Sequence, residues 1–203
     1  MNIKCTQNIY KSANGVSNVA YYILVPEDSH IRGIVQISHG MCEYFSRYTA
    51  FAKYLCGLGF IVCGNDHIGH GASVSRPADL GFFAAHDGWK YLIQDVLHLR
   101  ELMHRRYPDL PYFMLGHSMG SLIVRRAAHA AQAFEQRIGR RFVARRVLHA
   151  DDRIEIPVQT ERRKTVVELI MRARGHDAAA AAACVQRAQQ RLDAVEGEHL
   201  RSA

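Results

Sequence analysis

Residues 111–130 read PYFMLGHSMGSLIVRRAAHA. A short apolar run, Pro111–Leu115, meets the pentapeptide Gly116-His117-Ser118-Met119-Gly120, and a helix-like segment, Ser118–Ala131, follows. GxSxG between a buried strand and a helix is the context that separates a nucleophile elbow from a chance match. The turn is so tight that nothing bulky fits two residues either side of the serine, and Gly116 and Gly120 meet that need. Ser118 then presents its hydroxyl above the sheet at the positive end of the following helix, and the backbone N–H of Met119 faces a developing oxyanion.

Working toward the N-terminus, the run GIVQIS (33–38) reads as a buried strand feeding the loop His39-Gly40-Met41. The N–H of Met41 is the expected second oxyanion donor, and His39 is expected to brace the loop rather than act as the base. Phe60–Cys63 reads as another buried strand, ending in the loop Asn65 to Ser75. Within that loop, Asp66, His67 and His70 crowd together, yet they suggest a hydrogen-bonded loop rather than a metal site. Ile3–Tyr10 and Val19–Val25 alternate as two antiparallel strands about Asn14-Gly15. Arg47–Leu58 and Asp87–Tyr107 have helical spacing, with Asp87 as the expected N-cap and Pro108 as the stop. Continuous apolar strands alternating with helices predict an α/β fold, its sheet mostly parallel and covered on both faces.

Composition breaks near residue 127. All nine Tyr and the single Trp precede it, whereas the last 77 residues hold 13 Arg, 17 Ala and one Ser. The chain therefore divides into 1–126 and a tail, 127–203, with helices expected over 127–148, 160–173 and 178–196. So abrupt a switch suggests an altered reading frame, a truncation of the α/β core or a fusion, with a genuine helical extension as the alternative. A sheet ending at the Ser118 strand would expose a parallel edge unless the tail covers it.

The blocks HG (39–40), NDHIGHGAS (65–73) and LGHSMGS (115–121) together resemble the monoacylglycerol lipase and lysophospholipase branch of the α/β-hydrolases, the serine aminopeptidase family. The resemblance runs to about residue 126. It implies Ser118 as nucleophile, Met41 and Met119 as oxyanion-hole residues, and a supporting loop built on Asp66, Gly69, His70, Gly71 and Ser73. It also implies an eight-stranded sheet, a lid, a Ser–Asp–His triad, and hydrolysis of carboxylic esters, typically monoacylglycerols or lysophospholipids, through an acyl-enzyme. For the acid and base the tail offers Asp152 and His176, in the right chain order but too soon after Ser118 for two more strand–helix units and a lid. The alternative is a catalytically incomplete hydrolase fragment lacking both.

Net charge is +7, with the Arg-rich tail contributing more than half. No nucleic-acid motif accompanies it, so no nucleic-acid partner is expected. No secretory leader is expected from residues 1–10 and no transmembrane helix from the apolar runs, and five cysteines without a CxxC pair suit a reducing, cytoplasmic setting. No cofactor is expected, and the sequence does not set an oligomeric state.

Overall fold

Asn14 closes the first hairpin. Its Oδ1 accepts the N–H of Val16 (2.9 Å) and of Ser17 (2.8 Å), while Gly15 takes φ +73°. The strands so joined, β1 (Ile3–Lys11) and β2 (Asn18–Pro26), pair antiparallel. The computed structural model describes residues 2–27, 29–137, 143–145 and 165–171. Beyond the hairpin come β3 (Gly33–Ser38), α1 (Thr49–Gly57), β4 (Phe60–Asn65), α2 (Gly88–Arg106), β5 (Tyr112–His117), α3 (Met119–Arg137), β6 (Val143–Arg145) and β7 (Thr165–Met171). The strands form one sheet in the order β1-β2-β4-β3-β5-β7-β6. Pairing is antiparallel between β1, β2 and β4 and parallel from β4 onward.

The three runs read as buried strands are buried because helices cover both faces. Val35, Val62, Phe113 and Leu115 meet Phe51, Ala52, Leu55 and Cys56 of α1 on one side. On the other, Ile34, Ile61, Cys63 and Met114 meet Leu92, Val96, Leu99 and Met103 of α2 and Ile123, Val124 and Ala127 of α3. Each large apolar side chain so buried is worth about 1.5–3 kcal/mol. The one amide in the middle strand, Gln36, is satisfied internally: its Nε2 donates to the Val96 carbonyl (3.0 Å), and its Oε1 accepts the Tyr112 hydroxyl (2.6 Å).

Several expectations change. Residues 45–48 form a 3-10 turn, and α1 starts only at Thr49. Asp87 does precede α2, but it lies in the left-handed region (φ +54°) and its side chain caps nothing. Its carboxylate pairs instead with Lys90 at 2.8 Å. Ser118 belongs to the turn before α3, and α3 continues to Arg137, across the composition break. Of the helix expected over 127–148, residues 127–137 are helical within α3 while Val143–Arg145 form β6, and within the helix expected over 160–173 the described residues Thr165–Met171 form β7. β7 is rich in β-branched residues, and it pairs in parallel with β5 along Tyr112–His117, so the edge of the Ser118 strand is covered. The expected helix over 178–196 lies outside the described residues.

Candidate active site

β3 and β5 are neighbours, but their following connections leave in opposite directions along the sheet, because β3 leads to β4 on one side while β5 has β7 on the other. Such a switch point opens a crevice at the carboxyl ends of the strands. The loop after β3 and the turn after β5 meet there, with Ser38 and Gly116 in register.

Ser118 occupies the turn with φ +50°, a conformation that costs a non-glycine residue roughly 1–3 kcal/mol unless its surroundings hold it. The flanking glycines show how it is held. A Cβ on Gly116 would stand 2.5 Å from the Gly120 carbonyl oxygen, and one on Gly120 would stand 2.6 Å from that of His39. These are backbone atoms that cannot move aside, so the turn closes only with glycine at both positions. Ser121 fastens the far side: its N–H and its hydroxyl both donate to the Ser118 carbonyl, at 3.0 and 2.6 Å. Met119 opens α3, so its N–H lies in the first turn, where no intrahelical acceptor exists. Gly40 closes on the serine from β3, its missing Cβ 3.2 Å from the Ser118 Cβ. Met41 follows Gly40 and is 60% exposed.

His39 is buried and fully committed. Its Nδ1–H donates to the Gly40 carbonyl (2.7 Å), and its Nε2 accepts the N–H of His67 (2.9 Å). Those two bonds fix the neutral tautomer. Burial, with His70 nearby, pushes its pKa below the usual imidazole value. His67 lies against it, ring centroids 4.2 Å apart, and shares a 3.0 Å hydrogen bond with the Ser38 hydroxyl. Burial pushes the His67 pKa well below the ordinary value. His70 stacks on Phe83 and donates from Nδ1 to the Ile68 carbonyl (3.0 Å).

Asp66 is the anchor of its loop. Its Oδ1 accepts the N–H of Phe45 (2.6 Å), while Oδ2 accepts the N–H of Ala72 (2.8 Å) and the hydroxyl of Tyr22 (3.1 Å). Burial and the Asp66 charge push the Tyr22 phenol up to about 12. Asp66, His67 and His70 thus each face a different partner and do not converge on a common point. Asp152 and His176 lie outside the described residues.

One residue that no sequence motif singled out stands in the crevice. Glu43 is buried, and its Oε2 accepts the Gly40 N–H, the Tyr48 hydroxyl and the His117 Nδ1–H. Burial alone would raise its pKa, but those three hydrogen bonds outweigh it and hold the carboxyl below its ordinary value.

A strained serine on a strand–turn–helix, at the switch point of a largely parallel sheet with helices on both faces, defines an α/β-hydrolase. The family model described as "Serine aminopeptidase, S33" matches residues 29–142, more than half of the chain, and the chain belongs to that family. Monoglyceride lipase of Homo sapiens is 37% identical over 92 residues, which are 45% of this chain and 28% of that protein. Monoacylglycerol lipase of Mycolicibacterium smegmatis is 30% identical over 119 residues, 59% of this chain and 40% of that protein. Among solved structures, a thermostable carboxyl esterase from Bacillus coagulans superposes with TM-score 0.59 at 36% identity, covering 64% of this chain and 41% of that one. The chain therefore spans less than half the length of each of these three proteins.

Proposed function

We propose that this chain carries the acylation site of a serine hydrolase of carboxylic esters, with Ser118 as the nucleophile and the N–H groups of Met41 and Met119 as the oxyanion donors. The observation that carries this reading is the strained Ser118 turn with the Gly40 loop closed against it. The Ser118 oxygen attacks the ester carbonyl carbon, and negative charge collects on the carbonyl oxygen between the two N–H donors. The alcohol then leaves with a proton, and water releases the acid. His39 does not serve as base, since both its ring nitrogens are committed to the loop. Asp152 and His176 remain the candidates for acid and base. The names of the human and mycobacterial relatives point to a monoacylglycerol, and the sequence resemblance adds a lysophospholipid as the other single-chain lipid ester.

The setting we infer is cytoplasmic. Cys5, Cys42, Cys56 and Cys63 are all free thiols, as a reducing compartment allows. No described helix is long and apolar enough to cross a membrane.

A second reading, a hydrolase piece without its acid and base, is favoured by the small share of the human lipase that aligns. Hydrolysis of a 1-monoacylglycerol and of p-nitrophenyl butyrate by the full chain separates the two. The first reading expects turnover that Ser118→Ala abolishes. Absence of turnover in well-folded wild-type protein supports the second, and turnover unchanged in Ser118→Ala refutes the first.

A further inference from the structure

A single carboxylate oxygen ties the two sides of the crevice together. Glu43 Oε2 accepts the N–H of Gly40 at 2.8 Å from the loop after β3, and the Nδ1–H of His117 at 3.1 Å from the end of β5. The Tyr48 hydroxyl, at 2.6 Å, supplies the third bond from the turn leading into α1. The glycine at 40 makes this approach possible. A Cβ there would stand 3.0 Å from Glu43 Oε2 and 3.2 Å from both His117 Nδ1 and the Ser118 Cβ, so a side chain would have to fit between the carboxylate and the serine turn.

We propose that Glu43 is a positioning residue, clamping the Gly40-Met41 loop onto the His117-Ser118 turn so that the oxyanion donor of one stays aligned with the hydroxyl of the other. This assignment rests on the reading of Ser118 as nucleophile. The bonded atoms explain why a carboxylate stands here: three donors converge on one oxygen, and an ionised acceptor bonds them more strongly than a neutral one. A buried loop amide without this acceptor would drift, and a displacement of about 1 Å in a reacting geometry costs on the order of 10²-fold in rate.

The test compares Glu43→Ala and Glu43→Gln in the full chain by two readouts. Amide hydrogen exchange followed by NMR reports the clamp without any need for turnover. Gly40 should exchange at least about tenfold faster in Glu43→Ala, with β4 and α2 amides unchanged and Glu43→Gln intermediate. Ester hydrolysis reports the positioning: kcat should fall by roughly 10- to 100-fold with KM little changed, and Glu43→Gln should recover part of the loss. If Glu43→Ala fails to fold, the Gln variant carries both readouts. Gly40 exchange equal to wild type overturns the clamp. Faster exchange with unchanged kcat overturns the positioning role. A wild-type chain without Ser118-dependent turnover overturns the nucleophile reading instead, and Gly40 exchange alone then decides the clamp.

Discussion

Replacing Asp66 should cost more than its distance from the serine suggests. Its carboxylate is almost wholly buried and accepts three donors: the Phe45 N–H at 2.6 Å, the Ala72 N–H at 2.8 Å and the Tyr22 hydroxyl at 3.1 Å. Asp66→Ala strands the buried Phe45 N–H, at about 1–3 kcal/mol for a buried donor left unpaired, and takes the acceptor from the Ala72 N–H, which belongs to an exposed residue and can turn to water, at about 0.5–1.5 kcal/mol. The Tyr22 hydroxyl, on a half-buried side chain, can turn to water and adds little. The sum, about 1.5–4.5 kcal/mol, is a large part of the 5–15 kcal/mol typical of a domain. Asp66→Asn keeps one acceptor oxygen but must set an NH₂ against Phe45 N–H or Ala72 N–H, so roughly half that loss remains. Tyr22→Phe removes one donor and leaves both N–H groups bonded, a change of about 0.5–1.5 kcal/mol. Urea unfolding of the full-length proteins, followed by far-ultraviolet circular dichroism at constant m-value, ranks the three. The order Asp66→Ala, Asp66→Asn, Tyr22→Phe is expected, from most to least destabilised. An Asn variant no less stable than Tyr22→Phe would refute the idea that this carboxylate organises the loop.

Two further outcomes follow from the same geometry. Gly120→Ala sets a Cβ against the backbone of Ser38 and His39, which cannot yield, so it should lower stability by about 1–3 kcal/mol and depress reactivity at Ser118. A variant matching wild type in unfolding midpoint and ester turnover would contradict the close packing at the elbow. Acid should also weaken the fold through His39 and His67, whose pKa values burial holds below the ordinary one. Both are neutral when folded, so their stability is fully present above about pH 6.5 and declines below it, by up to about 1.4 kcal/mol per pH unit for each. Asp95, whose carboxyl burial raises, acts in the opposite sense at lower pH. Thermal midpoints at pH 7.5 and 5.5 should differ accordingly, and equal midpoints would contradict the buried neutral pair.

The features legible in the sequence are those with a local cause. GIVQIS, FIVC and YFML are apolar without alternation because helices cover both faces of their sheet, so each was readable as a buried strand. The serine turn was readable because Gly116 and Gly120 are demanded by neighbours within a few residues of the chain or by the adjacent strand's backbone. Glu43 was not. An isolated acid in a loop has no period, and its partners stand 3, 5 and 74 residues away. Asp87 suits a cap by residue type, but the left-handed backbone there leaves its carboxylate on Lys90 instead. TVVELIM (165–171) sits between charged segments and fits a helix by spacing. What makes it a strand is the open parallel edge of β5, a tertiary partner that propensity does not encode, although Thr165, Val166, Val167 and Ile170 were the available signal.

The proposed role of Ser118, a nucleophile held between two loops, has a direct chemical consequence. Treating the folded full chain with a fluorophosphonate and mapping the adduct by tandem mass spectrometry tests it most directly. One phosphonyl group is expected, on Ser118, with none on the Ser118→Ala variant. No adduct at Ser118 in protein with a cooperative melt, or labelling that persists elsewhere in Ser118→Ala at the same rate, would contradict it.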